Sequence, residues 1–422
     1  MQGKQRFPGI SLLLAMSAVA MLLTTATAIA QTDKFLHSFD YNPPTLYDGK
    51  QPEASLVMDA AGNLYGTTTT GGKQGWGTVF ELSPRSSGGW SERILHNFNN
   101  NGFDGTKPFA NVILDAAGNL YGTTSSGGFS GAGIVFELVR GSGNAWTEKI
   151  LYTFRGLGGH DGAFPFGGVI FDAAGNLFGT TLSGGKTSNG GTAFELTPTT
   201  SGPWTETILF SFTGQGGSRP MGNLIFDSAG NLYGMTEVGG AAALGNVYEL
   251  SPSSGSWSET VLYAFQSNGV DPQYPAAGLV MDSAGNLYGT AVNGGQFSGG
   301  AVFELSNSGG TWSETILHQF NYSDNHDGIN PSCALTFDAA GNLYGTTAAG
   351  GNAKLGINGL GTVFKLTPSS SGWTETIVHN FQGKDGQQPE AGVIFDAVGD
   401  IYGTTQQGGI PVGDGIVFEI TP

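Results

Sequence analysis

The stretch Asp59-Ala60-Ala61-Gly62-Asn63-Leu64-Tyr65-Gly66 decides the fold, because its pattern, D-x-x-G-[ND]-[LI]-[YF]-G, returns six more times. The copies begin at Asp115, Asp172, Asp227, Asp282, Asp338 and Asp396, at spacings of 56, 57, 55, 55, 56 and 58 residues. In each, the aspartate can cap a tight turn and the glycine supplies positive φ, so the octet reads as a hairpin tip running into a strand. A period this long excludes the short rungs of a parallel β-helix. No apolar repeat of 3.6 residues supports a helical solenoid either.

Outward from the octet, each period holds four strand candidates. In the first they are residues 56–58, 63–68, 78–82 and 90–98, parted by the turn, by Gly71-Gly72 and by a loop containing Pro84. Four strands per repeat and seven repeats predict an all-β, seven-bladed β-propeller with four antiparallel strands per blade. The last repeat stops at its third strand, Val417-Phe418-Glu419-Ile420, while Phe35-Leu36-His37-Ser38-Phe39 matches Ile94-Leu95-His96-Asn97-Phe98. The N-terminal strand is therefore expected to complete the seventh blade and latch the ring.

The composition agrees. Glycine occurs 72 times among 422 residues, with 11% aromatic and 12% charged residues, as suits many short strands and tight turns. Residues 1–30 read as a secretory signal peptide: Lys4 and Arg6, an apolar stretch from Ile10 to Leu23, and a cleavage motif at Ala28-Ile29-Ala30. Residues 31–422 then form a single propeller domain, with no membrane span after cleavage, secreted or retained in the periplasm. A monomer is expected. The lone Cys333 cannot build a disulfide framework and reads as a small buried residue. Without Lys4 and Arg6 the chain carries 14 basic and 33 acidic residues, a net charge of −19, which argues against nucleic acid as a partner.

Runs such as Gly77-Thr78-Val79-Phe80-Glu81-Leu82-Ser83-Pro84 and Gly361-Thr362-Val363-Phe364-Lys365-Leu366-Thr367-Pro368 resemble the GloVer-type tandem-repeat family of exported bacterial proteins. The resemblance spans all seven repeats. It implies an exported repeat protein and brings no catalytic residue with it. More distantly, the hairpin motif is similar to NHL propellers, and the order Tyr65, Gly71-Gly72, Phe80, Trp90 is similar to a kelch blade.

A residue present in every repeat builds blades; a functional centre belongs where the repeats differ. Of the 33 acids, 25 fall in four repeated columns: the turn aspartates, the Trp-x-Glu glutamates, the third-strand glutamates, and an aspartate in the pattern D-[GP]-x-x-P. The last set is Asp48, Asp104, Asp161, Asp271, Asp327 and Asp385, in the connections between blades. These read first as turns before a rigid proline. Their alternative reading is a partial acidic ring at the channel mouth that attracts Ca²⁺ or a cationic ligand. His37, His96, His318 and His379 share one outer-strand position with Tyr152, Phe210 and Tyr263, which marks a packing position. His160 and His326 lie off the repeat beside aspartates, and Arg219 replaces the usual aspartate region in its loop. Trp76, Phe129 and Phe297 sit in Gly-rich loops, where exposed rings can stack on sugars. No G-x-S-x-G, H-E-x-x-H or P-loop occurs.

Two function classes follow. The first is a non-catalytic binding or surface-interaction propeller, taking a glycan or another exported protein at its mouth through Trp76, Phe129, Phe297, Asp104, Asp161 and Asp327. The second is a secreted hydrolase or lyase acting on carbohydrate or a lactone through His160, His326 and Arg219.

Overall fold

The computed structural model describes residues 32–39, 47–156, 161–186, 189–200, 202–324, 326–351, 359–410 and 413–422. Residues 1–30, expected to be a signal peptide, His160 and most of the long loop of blade 6 lie outside the described residues. Seven four-stranded antiparallel sheets follow one another along the chain. In blade 1 the strands are Val57–Met58, Leu64–Thr68, Thr78–Pro84 and Trp90–Asn97, side by side in that order. A short 3-10 turn at Ser142–Asn144 interrupts the β structure. No helix there is long and apolar enough to cross a membrane.

The seventh sheet joins the two ends of the chain. Thr32–Ser38 lies antiparallel against Ile416–Thr421, pairing Phe35 with Phe418 and His37 with Val417. Leu36, skipped by this register, forms a one-residue bulge. The same bulge recurs in every outer strand; in blade 1, Ile94 faces Phe80 and His96 faces Val79, with Leu95 extra. A bulge re-aims the side chains that follow it, so its presence in the N-terminal strand identifies that strand as a true outer strand.

The core lies between blades. One cluster combines Tyr65, Val79 and Phe98 of blade 1 with Val112, Leu120, Ile134 and Phe136 of blade 2. The closing interface uses the same kinds of residue, Tyr402 and Val417 from blade 7 with Phe39, Leu56, Leu64 and Phe80. Gly66 in the second strand is required, since a Cβ there would sit 2.5 Å from the Phe80 ring. At the next position, Thr67 donates its hydroxyl to the Ala110 carbonyl of the next blade at 3.0 Å, and Thr404 does the same to Ala54 across the closure. Blade 4 has Met235 in this column, a buried apolar side chain that forgoes the tie.

The repeated turn aspartates are consumed by the fold. Asp59 accepts the Ala61 and Asn63 amides through Oδ1, and the Asn63 side chain and Tyr65 hydroxyl through Oδ2. Outer-strand tryptophans pack edge-on against the preceding blade, Trp90 on Tyr402 and Trp146 on Tyr65.

Candidate functional site

From the end of each outer strand the chain crosses from the rim of the propeller to its axis, and the residues that break the repeat lie along this path. The aspartate of D-[GP]-x-x-P comes first. Asp104 is buried and accepts the amides of Asn99 and Gly105 at 2.9 and 2.6 Å. Asp161 accepts those of Arg155 and Gly162 at 2.7 and 2.6 Å. Each aspartate therefore anchors the chain as it leaves the outer strand.

The aspartates do not converge on the axis. Each is held between the outer strands of adjacent blades, by the His or Tyr of one and an acid of the next, which is the Trp-x-Glu glutamate except beside Asp385, where it is Asp33. The Tyr152 hydroxyl reaches Asp161 at 3.1 Å and Glu206 at 2.8 Å; that of Tyr263 reaches Asp271 at 2.8 Å and Glu314 at 3.1 Å. At two of the histidines that replace tyrosine the gaps are wider. His96 Nε2 stands 3.4 Å from Asp104 and 3.7 Å from Glu148, and His318 Nε2 stands 3.5 Å from Asp327 and 3.6 Å from Glu375. Burial pushes Glu92 up to about 9, with the charge of Asp48 adding to it, and Glu206 up to about 8 beside Asp161. Burial also takes Glu148 and Glu375 up to about 7.

Among the described residues four such groups offer metal donors: His37–Asp48–Glu92, His96–Asp104–Glu148, His318–Asp327–Glu375, and His379 with Asp33 and Asp385. An imidazole with two carboxylates suits a borderline ion such as Zn²⁺. It is a poor match for Ca²⁺, which takes about six to eight oxygen ligands.

Beyond the aspartate, Gly105–Thr106 pairs with Ser126–Gly127 in a two-residue ribbon, and four further ribbons of this kind recur. Next comes a residue with positive φ ahead of the proline: Gln51, Lys107, Phe164, Arg219, Tyr274, Asn330 and Gln388, all at φ 56 to 60°. Each is pinned at both ends. The Lys107 amide donates to the Trp76 carbonyl at 3.0 Å, and its carbonyl accepts the Ser125 amide at 3.0 Å. None of these seven is glycine, and all are exposed or half-exposed.

Three residues past each proline the chain nears the axis. Asn223 donates its side-chain amide to Asn111 at 2.8 Å and accepts the Gly168 amide at 2.6 Å. These residues belong to blades 4, 2 and 3. Blades two apart can touch only at the centre, so this level is the constriction of the channel. One step nearer the mouth lies the column that directly follows the proline, half-buried in every blade.

The residues singled out from the sequence are distributed as follows. Trp76, Phe129 and Phe297 occupy the Gly-rich loops and are 36%, 63% and 43% exposed. Phe103 and Tyr322, which the sequence reading did not select, are also exposed in neighbouring loops. His326 is exposed and turns back to Asp324 in its own loop, with Nδ1 at 3.3 Å. Arg219 pairs with Glu237 at 2.6 Å. Cys333 is buried behind its proline, with its Sγ accepting the Thr346 amide at 3.0 Å.

A model of the Gloeobacter/Verrucomicrobia repeat family matches residues 22–241 and again residues 200–418. The chain belongs to this family. No curated protein matches it. Among solved structures it is similar to a putative 6-phosphogluconolactonase from Bacteroides uniformis, at 15% identity over 79% of this chain and 85% of that one, with a TM-score of 0.51. It is also similar to PorZ, a bacterial surface component of the type-IX secretion system of Porphyromonas gingivalis, at 16% identity and a TM-score of 0.43, over 82% of this chain and 44% of that one. A protein of unknown function from Dyadobacter fermentans aligns at 8% identity over 92% and 96% of the two chains, with a TM-score of 0.45. At such identities the likeness is one of fold.

For a Gloeobacter/Verrucomicrobia repeat protein the division of labour is then plain. The repeated carboxylates serve turns and blade interfaces. The pre-proline and post-proline columns, together with the Gly-rich loop tips, carry the side chains that differ from blade to blade.

Proposed function

We propose that this chain is an exported, non-catalytic propeller that binds glycan through the face bearing the ribbons and Gly-rich loops. The observation that carries this reading is the pre-proline column. Positive φ costs a non-glycine residue roughly 1 kcal/mol, and glycine is the ordinary occupant. In a chain with 72 glycines, seven of seven such positions carry a larger side chain. Strain held in every repeat, with side chains that vary among Gln, Lys, Phe, Arg, Tyr and Asn, is what a recognition surface requires. Exposed rings nearby at Trp76, Phe129 and Phe297 supply stacking faces for sugars.

Co-sedimentation of the purified protein with insoluble polysaccharides tests this. Retention without release of sugar ends is expected, and replacing Trp76, Phe129 and Phe297 together by alanine is expected to abolish retention while leaving the melting temperature unchanged. Failure to bind any polysaccharide, or release of reducing ends, would overturn the reading.

A further inference from the structure

The post-proline column divides into two arcs. In blades 2, 3 and 4 it holds Phe109, Phe166 and Met221; in blades 6, 7 and 1 it holds Ser332, Glu390 and Glu53. The apolar arc is a packed surface, with the Phe109 and Phe166 rings 4.9 Å apart and tilted by 34°. The opposite arc is rich in hydrogen-bond acceptors. Glu53 Oε1 takes the Gln406 amide at 2.9 Å and the Thr69 hydroxyl at 3.3 Å. No described residue donates to Glu390. A carboxyl without a donor, beside a second carboxyl, is a local deficit of donors.

The cations of the column's surroundings do not meet that deficit. Lys107 and Arg219 flank the apolar arc, and Arg219 is already paired with Glu237. Burial, then the charge of Glu53, pushes Glu390 up to about 7. Burial raises Glu53 too, against the hydrogen bonds from Gln406 and Thr69. A bound cation would relieve both carboxyls more fully than a neutral hydroxyl, because it adds charge to the hydrogen bond.

We propose that the axial cup binds a sugar unit bearing a free amine, its apolar face on Phe109, Phe166 and Met221 and its ammonium and hydroxyls on Glu390 and Glu53. This deepens the glycan-binding reading and rests on it. An apolar wall facing an acceptor-rich wall matches the two faces of a pyranose ring. The amine selects for the pair of carboxyls. The neighbouring blades close the floor: a Cβ on Gly222 would lie 2.0 Å from the Ala277 carbonyl, so the ligand enters end-on and stops at the constriction.

Titration calorimetry with glucosamine oligomers, their N-acetylated counterparts and glucose oligomers tests the proposal on the full purified protein. The amine-bearing oligomer is expected to bind about tenfold more tightly than the other two. Glu390→Gln should remove that preference, and Phe166→Ala should weaken all binding about tenfold, with both variants retaining the parental circular dichroism and melting temperature. Equal affinity for the acetylated oligomer, or no effect of Phe166→Ala, overturns it. Retention on polysaccharide with no binding of any soluble oligomer overturns the cup and leaves the glycan-binding face standing. A divalent cation that binds alone and is lost in Glu390→Gln overturns it in favour of an ion site.

Discussion

The Tyr152 hydroxyl of blade 2 lies 2.8 Å from the Glu206 carboxyl of blade 3, and this contact bolts two outer strands together at the rim. The same hydroxyl reaches Asp161 at 3.1 Å. One phenolic proton cannot serve two carboxylates, and Glu206, pushed up to about 8 by burial and then by Asp161, keeps the second proton. Tyr152→Phe removes the bridge and leaves both carboxyls buried. It is expected to cost about 1–3 kcal/mol, read as a lower urea midpoint at unchanged slope. An unchanged midpoint would mean that the bridge contributes no stability.

Histidine fills this position at His96 and His318 with longer gaps to the same carboxyl pair. If tyrosine is the better bridge, His318→Tyr should keep or raise the melting temperature. Thermal melts with Zn²⁺, with Ca²⁺ and with chelator check the alternative. A rise with Zn²⁺ in the parent that His318→Tyr reduces would mark the triad as an ion site, and indifference of both proteins to all three would mark it as a proton-sharing network.

The rim carboxyls also set a pH dependence. Glu92, Glu148, Glu206, Glu259, Glu314 and Glu375 are all raised by burial, to values from about 7 to about 9. The folded state therefore holds more protons than the unfolded one above the ordinary glutamate range, and stability falls as pH rises through these values. His96 and His318 act in the same direction. Burial lowers them, but donation to the loop aspartate and the charge of the glutamate raise them further, so their contribution is lost with rising pH. Asp59, Asp115, Asp227, Asp282 and Asp338 work the other way. Burial raises them, and the hydrogen bonds of the turn outweigh it, so their stabilisation is lost as pH falls below the usual aspartate range. The melting temperature should peak near about pH 5 and fall towards pH 8. A flat profile between those values would show that the rim glutamates are not held protonated.

The fold was legible because the ring states it seven times. The turn octet, the strand punctuation and the match of residues 35–39 to residues 94–98 each mark a structural position, and each needs only neighbours along the chain. Radial position is different. Asp104 and Phe109 are five residues apart, yet one lies at the rim and the other beside the axis, because the segment between them runs along a blade radius. Spacing in sequence does not reveal that direction, so the aspartates were expected around the channel. The column that does line the mouth was visible only as seven residues after a proline with little in common. Their variation was the available sign, and they were passed over for histidines and loop aromatics. The His/Tyr position was rightly read as packing, since His96 lies edge-on to Phe98 at 4.7 Å, but its polar edge has the second role described above.

The pre-proline strain can be measured directly. Lys107 has φ 58° and is exposed, so Lys107→Gly removes the Cβ penalty and loses little packing. It is expected to stabilise the protein by about 0.5–1 kcal/mol, offset in part by the freer unfolded chain. Gln388→Gly should behave alike. A lower melting temperature in both would show that the conformation suits a side chain, and the case for a strained recognition column would lose its basis.

The ring closure makes the sharpest demand on the N-terminal strand. Phe39 is fully buried against Phe80 at 5.2 Å, as Phe98 is against Phe136 at 5.3 Å. If the first strand is an outer strand equal to the other six, emptying either site should cost the same, about 3–5 kcal/mol for Phe→Ala. A strand that only drapes over blade 7 would yield locally, and Phe39→Ala would then cost far less than Phe98→Ala. Comparing the two urea midpoints separates these cases, and hydrogen exchange at Phe35 and His37 supplies the second reading. In a latched ring their amides should exchange only on global unfolding, because opening the closure exposes the interfaces on both sides of it.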